Sequence, residues 1–95
     1  MPQLQILRLN RNALSDEGVR SLANALSRGL LPRLQDISLA GNNIGDEGAE
    51  ALTEAVRGGG AADLKTLVLN DNALGAAAKV ELRAVCEVRK VTLVL

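Results

Sequence analysis

The chain has 95 residues, 47% of them apolar and 23% charged, with 11 Lys plus Arg set against 11 Asp plus Glu. That length is one small domain, and the balance is that of a soluble globular chain, with no stretch long and apolar enough to cross a bilayer. Zero net charge without a block of one sign argues against nucleic-acid or anionic-lipid partners. With no histidine, no aromatic residue and one cysteine, there is no His-based triad, no Cys/His zinc site, no intrachain disulfide and no base-stacking platform. No metal, no cofactor and no enzymatic activity are expected.

The chain repeats itself. Leu4, Leu7, Leu9, Asn12 and Leu14 open an L-x-x-L-x-L-x-x-N-x-L block, and the same block returns thirty residues on at Leu34, Ile37, Leu39, Asn42 and Ile44, and again at Leu64, Leu67, Leu69, Asn72 and Leu74. Within each block, apolar anchors alternate with variable residues, as in Leu7-Arg8-Leu9. In an extended chain this turns the anchors to one face, so the blocks predict short parallel strands. After the first block, Val19, Leu22, Ala23 and Leu26 fall at helical spacing, and Ala49, Leu52 and Val56 do so after the second. Ser15 or Asp16, and Gly45 or Asp46, stand where an N-cap belongs. Asp16-Glu17 and Asp46-Glu47 then occupy the first turn, where the helix dipole favours negative charge. Gly29 and Gly58 follow the last helical residues. The third helix has Gly75-Ala-Ala-Ala78 at its start and moves its apolar stripe to Ala78, Leu82, Val85 and Cys86. A shortened fourth block, Val88, Val91 and Leu93, follows the third after an interval of twenty-four residues.

These blocks resemble the long, ribonuclease-inhibitor type of leucine-rich repeat, over about residues 2–95. The resemblance implies an α/β fold, a right-handed βα solenoid forming a segment of a horseshoe, with parallel strands inside and helices outside. The units fall at about 2–31, 32–61 and 62–85, with a terminal strand in 86–95. A single strand and helix cannot enclose a core, so successive units must lay their leucines into one column. Matching Pro2-Gln-Leu4 to Pro32-Arg-Leu34 starts the chain inside a unit, so the expectation is the C-terminal part of a longer array. The uncapped first strand, Ile6 to Leu9, is then a candidate for self-association.

The asparagines Asn12, Asn42 and Asn72 recur where each strand ends, and read as a structural ladder that satisfies backbone groups freed at the bend. The acidic pairs read as helix-start residues rather than as metal or acid/base carboxylates. Gly58-Gly59-Gly60 lacks the Gly-Lys junction and the following helix that a phosphate loop needs, and reads as a linker. Cys86, on an apolar stripe, reads as a reduced core residue of a cytoplasmic protein. Arg20 and Glu50 stand at equivalent positions of neighbouring helices and are candidates to pair.

What is left for function is the inner strand face, whose side chains the core does not use. Its columns are Ile6, Asp36, Thr66 and Lys90; then Arg8, Ser38, Val68 and Thr92; then Asn10, Ala40, Asn70 and Val94, with Arg11 and Asp71 at the rim. A rigid concave surface of this kind suits recognition of another protein, so the leading expectation is a non-catalytic protein–protein interaction module. The resemblance also implies two alternatives. Ran GTPase-activating proteins use this repeat type and supply a loop arginine, for which Arg11 is the one residue in a comparable loop. Nucleotide-binding leucine-rich-repeat receptors carry such repeats as a C-terminal sensing part.

Overall fold

In a computed structural model, residues 3–95 are described. The element order is β1 (Ile6–Arg8), α1 (Ser15–Ser27), β2 (Asp36–Ser38), α2 (Asp46–Arg57), β3 (Thr66–Val68), α3 (Ala76–Arg89) and β4 (Thr92–Val94). The four strands form one parallel sheet in chain order, β1-β2-β3-β4. Ile6, Leu7 and Arg8 pair with Asp36, Ile37 and Ser38, and these pair with Thr66, Leu67 and Val68. The thirty-residue period of the sequence is therefore the pairing register of the first three strands. The start of the first unit at Pro2 lies outside the described residues.

The fourth strand departs from that reading. Thr66 pairs with Thr92, Leu67 with Leu93 and Val68 with Val94, so the interval is twenty-six residues rather than twenty-four. The cause is where α3 stops. Its chain turns at Lys90 in the left-handed region (φ 59°), where the N–H of Lys90 donates to the Glu87 carbonyl and that of Val91 to the Cys86 carbonyl. This is a Schellman ending. The first two helices end the same way around Gly29 (φ 71°) and Gly59 (φ 81°), where Leu30 N–H reaches Ala25 O and Gly60 N–H reaches Ala55 O. The left-handed glycine of the second linker is thus Gly59, while Gly58 keeps a helical φ of −74°. From Gly29 or Gly59 to the next strand the chain takes seven residues, but from Lys90 to Thr92 only two. Residues 86–89 consequently belong to α3 and not to a terminal strand. Val88, assigned an anchor position from sequence, is 78% exposed, and Val91 is buried in its stead.

The anchor leucines meet the helices' apolar stripes in one core. Leu34, Ile37, Leu39, Leu64, Leu67 and Leu69 from the strand side, and Val19, Leu26, Ala49, Leu52, Leu82 and Cys86 from the helices, are all buried. Leu4, Leu7 and Leu9 of the first unit are only half-buried, since β1 has a neighbour on one side among the described residues. Val85 joins the α3 stripe as predicted, while Ala78 is half-buried. On the outer surface Arg20 pairs with Glu47 at 3.8 Å, not with Glu50. Both side chains are mostly exposed, which limits the pair to about 1 kcal/mol or less.

Candidate functional site

The pleat turns alternate strand residues away from the core, and two columns of side chains result. The first is Ile6, Asp36, Thr66, Thr92 and the second Arg8, Ser38, Val68, Val94. The two-residue slip of β4 keeps the parity of its side chains, so Thr92 stays on this open face but moves from beside Val68 to beside Thr66. Val94, placed next to Asn70 from sequence, stands beside Val68 instead. Lys90 drops out of the face altogether, because it is the turning residue of α3. Ile6, Arg8, Thr92 and Val94 are exposed, while Asp36, Ser38, Thr66 and Val68 are half-buried between flanking strands. The face is divided by charge: Arg8 and Asp36 lie on β1 and β2 beside Ile6 and Ser38, while β3 and β4 present only threonine and valine.

Where the strands give way to loops, the side chains bond among themselves. The Asn10 carboxamide oxygen accepts from Ser38 Oγ at 2.7 Å and from the Ala40 N–H at 2.9 Å. Asn70 Nδ2 donates to Asp71 Oδ2 at 3.3 Å. Arg11, Gly41 and Asp71 occupy equivalent loop positions, all left-handed, with φ of 57°, 69° and 60°. The Arg11 side chain lies across Gly41, where an added Cβ would stand 3.0 Å from Arg11 Cγ, and reaches Asp71 at 3.6 Å. A side chain at position 41 would block that path. Arg11 and Asp71 are therefore a rim pair, and both remain largely exposed.

Beneath the rim run two backbone-satisfying ladders. Asn42 Oδ1 accepts from the Asn12 N–H (2.7 Å) and the Leu14 N–H (3.4 Å) of the preceding unit, while its Nδ2 donates to Leu9 O (2.6 Å). Asn72 repeats this one unit later, accepting from the N–H groups of Asn42 (2.8 Å) and Ile44 (2.9 Å) and donating to Leu39 O (2.9 Å). The Oδ1 of Asn42 and of Asn72 thus serves the unit before it, while Nδ2 also reaches the residue's own turn, as in Asn72 Nδ2 to Leu69 O at 3.0 Å; Asn12 itself is exposed.

The second ladder was missed in the sequence. Asp16 and Asp46 do not cap their own helices: the starts of α1, α2 and α3 have no side-chain cap bond, and the N-cap of α1 is Leu14. Asp16 Oδ1 accepts from the Gly45 N–H of the next unit at 2.6 Å, and Asp46 Oδ1 from the Gly75 N–H at 2.7 Å. The carboxylates still lie at helix starts, where the dipole favours them, but their bonds clamp unit to unit. A Cβ on Gly45 or Gly75 would stand 3.1 or 3.2 Å from the carboxylate, so glycine there permits the approach. The recurrence of Gly twenty-nine residues after each Asp was the available signal.

Cys86 is buried, and desolvation raises its thiol above the ordinary value. It is a protonated core group at neutral pH, without the lowered pKa of a nucleophilic cysteine. No cluster of three or more His, Cys, Asp or Glu suited to a metal ion occurs among the described residues. No helix among them is long and apolar enough to cross a membrane.

Strand, asparagine turn and outer helix, stacked unit on unit in one parallel sheet, define a leucine-rich-repeat βα solenoid of about three units. Residues 2–23 and 32–52 match the family model described as Leucine Rich repeat, in agreement with the first two blocks, and support a leucine-rich repeat protein. A search of curated proteins gives no match. Leucine-rich repeats are generally protein-interaction modules.

Proposed function

We propose that this chain is a non-catalytic module of the ribonuclease-inhibitor-like subtype that binds another protein on its open, concave strand face, in the cytoplasm. The observation that carries this reading is the state of Arg8 and Asp36. They stand on neighbouring strands of the face, and among the described residues neither enters an ion pair, with the other or with anything else. Charges that contribute nothing to the core or to an internal pair are available to a partner, and electrostatic complementarity of this kind sets specificity and association rate. The threonines and valines of β3 and β4 add a flat, weakly apolar area beside them. Because the side chains stand on paired strands, binding costs little ordering. A buried, unactivated thiol supports a reducing compartment.

The test is affinity capture from cytosol with the wild-type chain and with Arg8→Glu and Asp36→Lys. Loss of a specific captured protein in both variants is the expected result. Recovery of the same proteins at the same level with both variants contradicts the reading.

A further inference from the structure

Equal numbers of cations and anions in the sequence do not mean an even surface. All four strands are parallel, so every helix-to-strand segment lies along one edge of the sheet and every strand-to-helix loop along the other. The helix-to-strand edge, with the last helical turns, collects Arg28, Arg33, Arg57, Lys65, Arg89 and Lys90 against Glu54, Asp63 and Glu87, whereas the opposite loops and first helical turns hold Asp16, Glu17, Asp46, Glu47 and Asp71 against Arg11 and Lys79. The helix dipoles favour this separation, but it also creates a basic edge that the linear sequence conceals.

The basic edge is not uniform. At the third unit, beside the shortened connection of two residues from Lys90 to Thr92, lie adjoining shallow grooves: two share Val88 and Arg89, and one of these shares Ala62, Arg89 and Lys90 with a third. Lys65, Asp63 and Ala62 line the same region. Arg57 is already paired with Glu54, and Arg89 donates to the Arg57 carbonyl at 2.6 Å, which fixes its guanidinium while leaving further N–H donors unused. Arg89, Lys90 and Lys65 therefore face one lining carboxylate, Asp63. In their midst Val88 is 78% exposed, the most exposed large aliphatic side chain among the described residues.

We infer that this groove is a second docking site, separate from the strand face, for an acidic peptide segment of a partner protein that carries an aliphatic side chain between its carboxylates. The aliphatic side chain rests on Val88 and Ala62, and the carboxylates meet Arg89, Lys90 and Lys65. Charge complementarity selects an anion. The aliphatic floor and the absence of any aromatic stacking residue select a peptide over a nucleic acid.

Fluorescence anisotropy with a labelled peptide of alternating glutamate and leucine tests this at about 50 mM salt, where surface charges are weakly screened. Lys90→Gly combined with Lys65→Glu weakens binding by about tenfold or more, and Lys90→Gly keeps the left-handed turn, so the fold survives. Val88→Ser, or replacing leucine by serine in the peptide, weakens it as well, while Arg8→Glu on the strand face leaves it unchanged. Absence of binding, equal binding by the groove variants, equal binding of the serine peptide, or loss in Arg8→Glu overturns the inference. So does tighter binding of a single-stranded oligonucleotide or of anionic vesicles. The Arg8→Glu arm separates failure here from failure of the strand-face reading.

Discussion

Truncating the ladder asparagines one at a time gives three unequal losses, although the three look alike in sequence. Asn72→Ala removes the acceptor of the Asn42 and Ile44 N–H groups and the donor to Leu39 O. Those three residues are essentially inaccessible, so water cannot replace the lost partner. At about 1–3 kcal/mol for each stranded buried group, and taking the lower part of that range because the bend can relax, the loss is about 3–5 kcal/mol. Asn42→Ala strands the Asn12 N–H and Leu9 O, which belong to exposed and half-buried residues that water reaches. The loss there falls to about 1–2 kcal/mol. Asn12→Ala touches an exposed side chain and changes stability by less than about 0.5 kcal/mol. Urea unfolding followed by circular dichroism measures all three, since a chain without Trp or Tyr offers no fluorescence signal. Equal losses, or a larger loss at Asn12 than at Asn72, would refute the reasoning that the Oδ1 of Asn42 and of Asn72 serves the unit before it.

Three further predictions rest on single positions. Gly60→Ala costs about 2 kcal/mol or more, because its Cβ would lie 2.5 Å from the Leu26 carbonyl oxygen, while Gly58→Ala, with its nearest neighbour at 3.3 Å and a helical φ, stays within about 0.5 kcal/mol of wild type; paired urea titrations decide it. Lys90→Gly stabilises the fold by about 0.5 kcal/mol, since relief of a left-handed lysine, about 1–2 kcal/mol, outweighs the added freedom of the unfolded chain, and a lower urea midpoint would contradict this. The pH dependence follows from Cys86, the one side chain here that ordinarily titrates between the carboxylates and the lysines. Its thiol is raised in the folded state by burial, so the unfolded chain releases the proton first. Stability is complete below the unfolded thiol's pKa and declines as pH rises from about 8.5 toward the folded value, a decline that Cys86→Val removes.

The features legible in the sequence are those written as periodicities. Alternation around Leu7, Ile37 and Leu67 located three strands, and the thirty-residue spacing set their register, because a stacked fold converts period directly into pairing. The same habit misplaced β4: Val88, Val91 and Leu93 satisfy the anchor spacing, yet Leu93 occupies the place of Leu67, because the Lys90 turn sets where the strand begins. Parity survived, which is why Thr92 remained on the open face while Lys90 left it. Asp16 and Asp46 stood at helix starts as expected, but their bonds to Gly45 and Gly75 cross between units, and no local rule of helix capping contains that geometry. The basic edge was invisible for a related reason. Arg57, Lys65 and Lys90 are scattered along the chain, and only the common direction of the strands gathers them.

The open face exists only if adjacent units stack with Thr66 beside Thr92 and Val68 beside Val94. Cysteine cross-linking in a Cys86→Val background tests this most directly, because paired residues on neighbouring strands stand about 4.8 Å apart while a diagonal pair lies beyond the roughly 7 Å that a disulfide can span. Thr66→Cys with Thr92→Cys should oxidise readily to an intrachain bridge, and Val68→Cys with Thr92→Cys should not. Bridging of the second pair in preference to the first would place β4 two residues away and dismantle the columns on which the binding face is built.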